Sequence, residues 1–203
     1  MKIIDISLPI FEGMITYPGN PEVKITQRKG ASSIHSEIAF GSHTGTHIDA
    51  PAHVSPKAKP LSRLPLSVFV GPARVLDFSN VKEAITVADL NPYHIKKGER
   101  ILVKTSNSTR GFKNFYSDYV YLDGEAADFL ARRGIALFGI DALSVKKRGG
   151  SDLRPHTSLL KRNIPILEGL QLKGVRAGSY QLVCLPLSFQ AIDGSPARAV
   201  LIS

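Results

Sequence analysis

Cysteine is nearly absent from this chain, which has a single one, Cys184, among its 203 residues. One thiol cannot form an intramolecular disulfide, and a zinc site built from four thiolates is also excluded. Because free cysteines are usually buried, we expect Cys184, which lies in an apolar run, to be a core thiol. So few cysteines also fit a reducing compartment.

Long hydrophobic runs are missing as well. No stretch of the sequence approaches the roughly 18 consecutive apolar residues that predict a membrane-spanning helix. The N-terminal segment carries Asp5 where a secretory signal peptide would continue its apolar run. We therefore expect a cytoplasmic protein with no membrane partner.

Positive charge is in excess, with a formal net charge of +9 at pH 7. The basic residues occur in short scattered groups, without a long basic helix or a zinc finger. This pattern favours a solvated basic surface, so a nucleic-acid partner is not expected. A basic polyanion-binding module with a structural metal is the alternative from another function class, and its affinity would fall steeply with salt.

The remaining composition is that of a globular protein, with 43% hydrophobic and 21% charged residues. A chain of this length predicts a single domain over residues 1–203 with a sizeable core. Runs rich in Val, Ile, Leu and Tyr, many with Gly, Pro, Asn or Ser at their ends, predict that strands dominate. The predicted strands are 2–8, 23–27, 36–40, 68–78, 100–104, 119–122, 136–140, 164–167, 181–187 and 197–202.

Helices are predicted to be few. The best candidate is Gly124–Arg133, with Asp123 as its N-cap and Gly134 as its stop. A capping box over residues 86–89 predicts a very short helix that Pro92 ends, and a further turn is expected over residues 157–162. Many strands and few helices predict a mixed α/β or α+β domain with a large sheet.

Three of the six histidines lie within eleven residues, at positions 43, 47 and 53, with Asp49 among them. Imidazole nitrogens and carboxylate oxygens are ligands suited to zinc, manganese or iron. Gly45 and Pro51 make a helix improbable here, so we expect an irregular loop or a strand edge. In an extended stretch His47 and Asp49 would share one face, because side chains alternate. Thr44 and Thr46 are expected to donate hydrogen bonds that orient the ligands.

A second cluster lies far along the chain. Glu168 follows an apolar run and is expected to be partly buried, so it needs a cation, a donor network or a metal. By itself it could be half of a structural ion pair or a ligand, and His156 by itself would be a loop histidine. Together with His43, His47 and Asp49, these two residues would complete five ligands able to hold two metal ions.

The run from His43 to His53 resembles the His-x-Gly-Thr-His-x-Asp-x-Pro-x-His motif of the cyclase family, which includes bacterial kynurenine formamidase and isatin hydrolase. The similarity extends over nearly the whole chain. Supporting segments are Asp-Ile-Ser at 5–7, Tyr-Pro-Gly at 17–19, residues 125–130 with 139–141, residues 164–170 and Asp-Gly-Ser-Pro-Ala-Arg at 193–198.

The resemblance implies a β/β/α swivelling-domain fold with mixed sheets, few helices and a homodimer or homotetramer. It also implies two divalent metal ions per subunit, most naturally zinc or manganese. His43, His47 and Asp49 would bind the first ion, with Asp49 bridging to the second. His156 would hold the second ion, and Glu168 would contact both.

His53 would be the general acid/base in this family and not a ligand. Tyr17 stands where kynurenine formamidases carry a tryptophan that stacks on the aromatic substrate. Lys146 stands where formamidases tend to have a second aspartate. Both departures fall near the presumed substrate pocket and leave the ligand set intact.

The expected activity is hydrolysis of a small aryl formamide or cyclic amide, with conversion of N-formylkynurenine to kynurenine and formate as the lead reaction. Two metal ions would polarise the carbonyl and lower the pKa of a water molecule to about 7. His53 would take the proton and return it to the leaving nitrogen. A related cyclase, lactonase or dehydratase is the alternative among enzymes. Arg198 is expected to pair with Asp193 or another acid near the C-terminus.

Overall fold

The computed structural model describes residues 1–203. Twelve strands and four helices make up its regular structure. The strands are β1 Ile3–Asp5, β2 Lys24–Lys29, β3 Ile34–Ala39, β4 His47–Asp49, β5 Val70–Asp77, β6 Ala84–Ile85, β7 Arg100–Lys104, β8 Tyr121–Leu122, β9 Leu137–Ile140, β10 Ile166–Glu168, β11 Gly178–Pro186 and β12 Gly194–Ile202. The helices are α1 Val87–Leu90, α2 Ser106–Arg110, α3 Gly124–Arg133 and α4 Arg154–Leu160. None of the helices is of a length and apolarity that would let it span a bilayer.

Eight strands form the main sheet in the order β1-β12-β11-β5-β7-β9-β10-β4. The sheet also closes, because the first part of β12 pairs with β4 while its last part pairs with β1. Strands β5, β7, β9 and β10 run parallel to one another, and the other pairings in this sheet are antiparallel. The predicted architecture of mixed sheets with few helices is confirmed.

The central strands are buried on both faces, so their residues divide between two apolar cores. Ile101 and Val103 of β7 pack in the core that also contains the apolar residues of α3 and α4. Leu102, between them, belongs to the second core, together with residues of β11 and β12. Alternation along each strand produces this division, and Cys184 lies fully buried in the second core as predicted.

The helix predictions hold where local capping signals are strong. Helix α3 has the predicted bounds, Asp123 accepts a hydrogen bond from the Glu125 N–H, and Gly134 adopts φ +67°. The capping box at α1 is formed by Thr86 and Asp89. Helix α2 was not predicted, since Ser-Asn-Ser-Thr-Arg has neither an apolar stripe nor high helix propensity.

Each of the ten predicted strands overlaps an observed one. The two strands not predicted, β4 and β6, are only three and two residues long. Strand β4 contains two of the predicted ligands, and its pairing partners are distant in the sequence. Strands β2 and β3 form a separate hairpin whose residues are almost all exposed.

Candidate metal centre

The histidine-rich motif is a turn followed by a short buried strand and a single turn of 3-10 helix. No helix runs from His43 to His47, as predicted, and Gly45 adopts φ +60° at the bend. Strand β4 places His47 and Asp49 on one face, and His53 ends the 3-10 turn over Pro51–His53. The prediction that this segment is not helical is therefore confirmed: a turn leads into a short strand, which is paired with both β10 and β12.

The predicted roles of the two threonines are wrong. The Thr46 hydroxyl donates to the Gly169 carbonyl at 2.5 Å and accepts from the Leu8 N–H at 2.8 Å. It therefore fixes the backbone beside Glu168 and contacts no ligand. The hydroxyl of Thr44 is buried without a hydrogen-bond partner.

Sheet pairing brings the second cluster to the motif. Strand β10 runs antiparallel to β4, and Glu168 lies opposite His47 in the register. Glu168 is only 3% exposed. Its Oε1 accepts the Val145 N–H at 2.6 Å, which ties the loop after β9 to the site.

His156 lies in the third position of α4 and not in a loop, which corrects the sequence-based expectation. Pro155 just before it suits the first turn of a helix, where its missing N–H costs no hydrogen bond. The His156 Nε2 atom lies 3.4 Å from Glu168 Oε1 and 3.7 Å from Asp49 Oδ2. The helix therefore brings this imidazole to both carboxylates.

The other donor atoms are equally close. His47 Nε2 lies 3.3 Å from Glu168 Oε2 and 3.5 Å from Asp49 Oδ1. His43 Nδ1 lies 2.7 Å from Asp49 Oδ1. All five predicted ligand residues therefore meet around two buried carboxylates.

Two donor atoms in this cluster have no hydrogen-bond partner although they are buried: His47 Nε2 and Asp49 Oδ2. Such groups are rare in native proteins and call for an ion, a water or strain as an explanation. Donors from His47, Asp49 and Glu168 lie within 4.8 Å of one another, and so do donors from His43, Asp49 and His53. The donor chemistry and the unpaired atoms both fit a divalent metal.

Asp193 belongs to the cluster, and sequence reasoning placed it elsewhere. Its Oδ2 lies 2.8 Å from His43 Nε2 and 3.3 Å from His53 Nδ1. Arg198 was expected to pair with Asp193 or another acid near the C-terminus, and it binds Asp5 on β1, with the Nε atom 3.1 Å from Oδ1. The available signal was the Asp-Gly sequence, in which Asp193 precedes β12 and Gly194 begins it.

Strand β12 explains this placement of Asp193. Gly194, the next residue, pairs with Asp49 across the sheet. A Cβ atom on Gly194 would lie 2.8 Å from the His43 ring and 2.9 Å from the Ile48 carbonyl. Only glycine therefore lets the backbone approach close enough for Asp193 to reach the histidines.

The electrostatics of the cluster are dominated by its carboxylates. Although burial opposes the charged imidazole, the hydrogen bonds and charges of Asp49 and Asp193 raise the pKa of His43 to about 9. Burial by itself would raise the pKa of Asp49, but His43 holds it well below its usual range. Burial by itself would lower the pKa of His156, but the carboxylate of Glu168 outweighs burial, so the pKa of His156 is raised.

A cleft of about 220 Å³ opens beside these residues. Besides the histidines and Glu168, it is lined by Tyr17, Asn20, Leu143, Ser144 and Lys146. The Tyr17 ring packs edge-on against Phe115 at 5.5 Å between centroids, and the Arg148 guanidinium lies 5.0 Å from the Tyr17 centroid. Tyr17 and Lys146 therefore both line the cleft, where the substrate pocket was expected from the sequence.

Comparison with known families decides the classification. A family model described as putative cyclase matches residues 4–147. The chain belongs to the cyclase family. Kynurenine formamidase of Bacillus thuringiensis (strain Al Hakam) is 38% identical to it, over 98% of this chain and 96% of that protein. Kynurenine formamidase of Bacillus anthracis is also 38% identical, over 98% and 97%.

Solved structures of this family agree. A structure described as a predicted metal-dependent hydrolase from Bacillus stearothermophilus superposes with a TM-score of 0.89 at 35% identity, covering 98% of this chain and 97% of that one. Isatin hydrolase A from Ralstonia solanacearum shares the fold, with a TM-score of 0.85 at 23% identity over 100% and 92%. The predicted family and the predicted enzyme class, a metal-dependent hydrolase, are confirmed.

Proposed function

We propose that this cyclase-family hydrolase cleaves the C–N bond of a small aryl formamide or cyclic amide, with N-formylkynurenine as the lead substrate. Kynurenine and formate would be the products. The formamidases that match nearly the whole chain at 38% identity support this substrate class. Relatives that are hydrolases also count against the alternative of a basic polyanion-binding module.

The proposed cofactor is a pair of divalent ions, zinc or manganese. His43, His47 and Asp49 would hold the first ion, His156 would hold the second, and Glu168 would contact both, with Asp49 as the bridge. The unpaired buried Nε2 of His47 and Oδ2 of Asp49 are the observation that carries this proposal. Bound ions of this kind polarise a carbonyl oxygen and make water more acidic.

The protein's own residues supply the remaining steps. His53 lies at the cleft with its side chain 32% exposed, so it can take a proton from water and deliver it to the leaving nitrogen. The Asp193 carboxylate near His53 Nδ1 would hold the ring in one orientation. Tyr17, on the cleft wall, would stack on the aromatic ring of the substrate.

The test is an assay of metal-reconstituted protein on N-formylkynurenine, run beside isatin. We expect formate release that depends on the metal and is lost in His47→Ala. His94→Asn is the control, because His94 is exposed, belongs to none of the candidate metal-binding groups and has a φ of +46° that asparagine tolerates, so turnover should be unchanged. If metal-loaded protein hydrolysed neither compound, the proposal would fail, and a screen of lactones and other cyclic substrates would test the related cyclase, lactonase or dehydratase activities.

We also propose that the chain acts as one domain in a homodimer or homotetramer. The β2–β3 hairpin supports assembly, because an isolated two-stranded hairpin is marginally stable in water and this one exposes Ile34 and Ile38. Sedimentation analysis of the wild type against Ile38→Ser tests the contribution of this surface.

A cytoplasmic location is proposed from the single buried thiol, which has no disulfide partner.

A further inference from the structure

Lys146 lines the cleft, and hydrogen bonds from two neighbouring parts of the structure hold its backbone in place. The preceding Val145 N–H donates to Glu168 Oε1 at 2.6 Å. The Tyr119 hydroxyl donates to the Lys146 carbonyl. The position of this side chain is therefore tied to the site, although Lys146 lies on a loop.

The charge of Lys146 has no carboxylate partner. Its ammonium donates to the Gly150 carbonyl, which is neutral, and an ammonium has three hydrogens to donate. Asp152 is near enough to feel this charge, but it is bound to Arg154 at 2.8 Å. The next residue, Lys147, does have a carboxylate partner. Its Nζ atom lies 2.9 Å from Glu83 Oε1, and Glu83 does not line the cleft.

Arg148 is a second cation, and it lies beside the Tyr17 wall of the cleft. Its guanidinium lies over the Tyr17 ring and donates to the Pro18 carbonyl at 3.4 Å, again without a carboxylate. Arg148 therefore places a positive charge beside Tyr17, which lines the same cleft as Lys146. No acidic side chain lines the cleft other than Glu168, which faces the histidines.

We propose that Lys146 selects substrates that carry a free carboxylate, so that the preferred class is a carboxylate-bearing aryl formamide or cyclic amide. Hydrogen bonds between ionised partners are roughly twice as strong as neutral ones, and a partly buried ammonium interacts more strongly with a carboxylate than an exposed one because the effective dielectric is lower. This inference rests on the proposed function, which supplies the aryl formamide or cyclic amide to which the carboxylate is attached.

The test compares N-formylkynurenine with its methyl ester, which differ in one carboxylate. We expect wild-type protein to prefer the acid by about tenfold or more in kcat/KM, mainly through KM, because the interaction is made in the ground state as well. Lys146→Met should abolish most of that preference, and Lys146→Arg should keep it. Lys147→Met is the matched control and should leave the ratio unchanged.

A binding measurement separates this inference from the proposed function. Calorimetry of kynurenine and its methyl ester against metal-loaded wild type and Lys146→Met should show the same loss of discrimination. An acid-to-ester ratio that is equal in wild type and Lys146→Met, in both kinetics and binding, would overturn the role of Lys146. If neither formamide turned over, the proposed function would fail, and the calorimetric ratio would still decide the inference.

Discussion

Replacing Glu168 with glutamine distinguishes a metal ligand from a structural ion pair. Glutamine keeps the size of the side chain, and its carbonyl can still accept the Val145 N–H. What the substitution removes is the negative charge near His47 and His156. The two roles therefore predict different results with and without metal.

As a ligand, Glu168 contributes to metal-induced stability. At a metal concentration 100 times Kd, binding stabilises the folded state by about 2.7 kcal/mol. Outer-shell changes already cost 10–100-fold in affinity, so losing a ligand should cost at least about 100-fold, and the same concentration would then add only about 0.4 kcal/mol. For a domain of this size 1 kcal/mol shifts Tm by roughly 2–4 °C, so the metal-induced shift should fall from about 5–10 °C to about 1 °C.

If Glu168 were instead half of a structural ion pair, it would stabilise the fold even without metal, and replacing it would lower the Tm of the metal-free protein. Breaking a buried ion pair costs about 3–5 kcal/mol, or roughly 6–20 °C in Tm, in the metal-free protein. We expect instead a change of no more than about 2 °C, because removing the charge also relieves the repulsion from Asp49. Differential scanning calorimetry of both proteins, with zinc and with a chelator, measures the four values. A large loss of Tm with chelator and an unchanged zinc shift would refute the ligand assignment.

Three further predictions concern the acid/base residue, its neighbour and the C-terminal ion pair. His53→Ala should lower kcat by about 10² to 10⁴ while bound metal is retained, and loss of metal together with activity would make His53 a ligand. Asp193→Asn should lower kcat by about 10- to 100-fold, since the amide cannot hold the charged His53 ring as well; equal turnover in the two proteins would contradict this. Burial by itself would raise the pKa of Asp5, but Arg198 lowers it below the usual 3.8. The ion pair therefore stabilises the fold above pH 3.8, and this stabilisation is lost as the pH falls through the lowered pKa of Asp5 in the folded protein. The Tm difference between wild type and Arg198→Ala should therefore be small at pH 7, as for exposed pairs, and shrink as the pH falls below 3.8, whereas a constant difference would exclude the pairing as its cause.

The sequence by itself determined the features that depend on short-range chemistry. Helix α3 could be predicted to the residue, because Asp123 and Gly134 mark its ends through local backbone geometry. The clustering of His43, His47 and Asp49 as candidate ligands could be predicted because imidazole and carboxylate donors so close in the sequence are typical of a metal site. Glu168 was a candidate because a carboxylate after an apolar strand must find a partner.

Only the tertiary structure decided which distant groups complete the site. Asp193 reaches His43 because β12 pairs with β4 and because Gly194 allows the close approach. Pairing between strands some 145 residues apart leaves no local signal, and β4 itself is too short for its periodicity to be recognised. The same closure of the sheet sends Arg198 to Asp5 on β1, since β1 and β4 occupy different parts of one edge of β12. Long-range register, which local propensity does not encode, therefore fixed the final arrangement of charges.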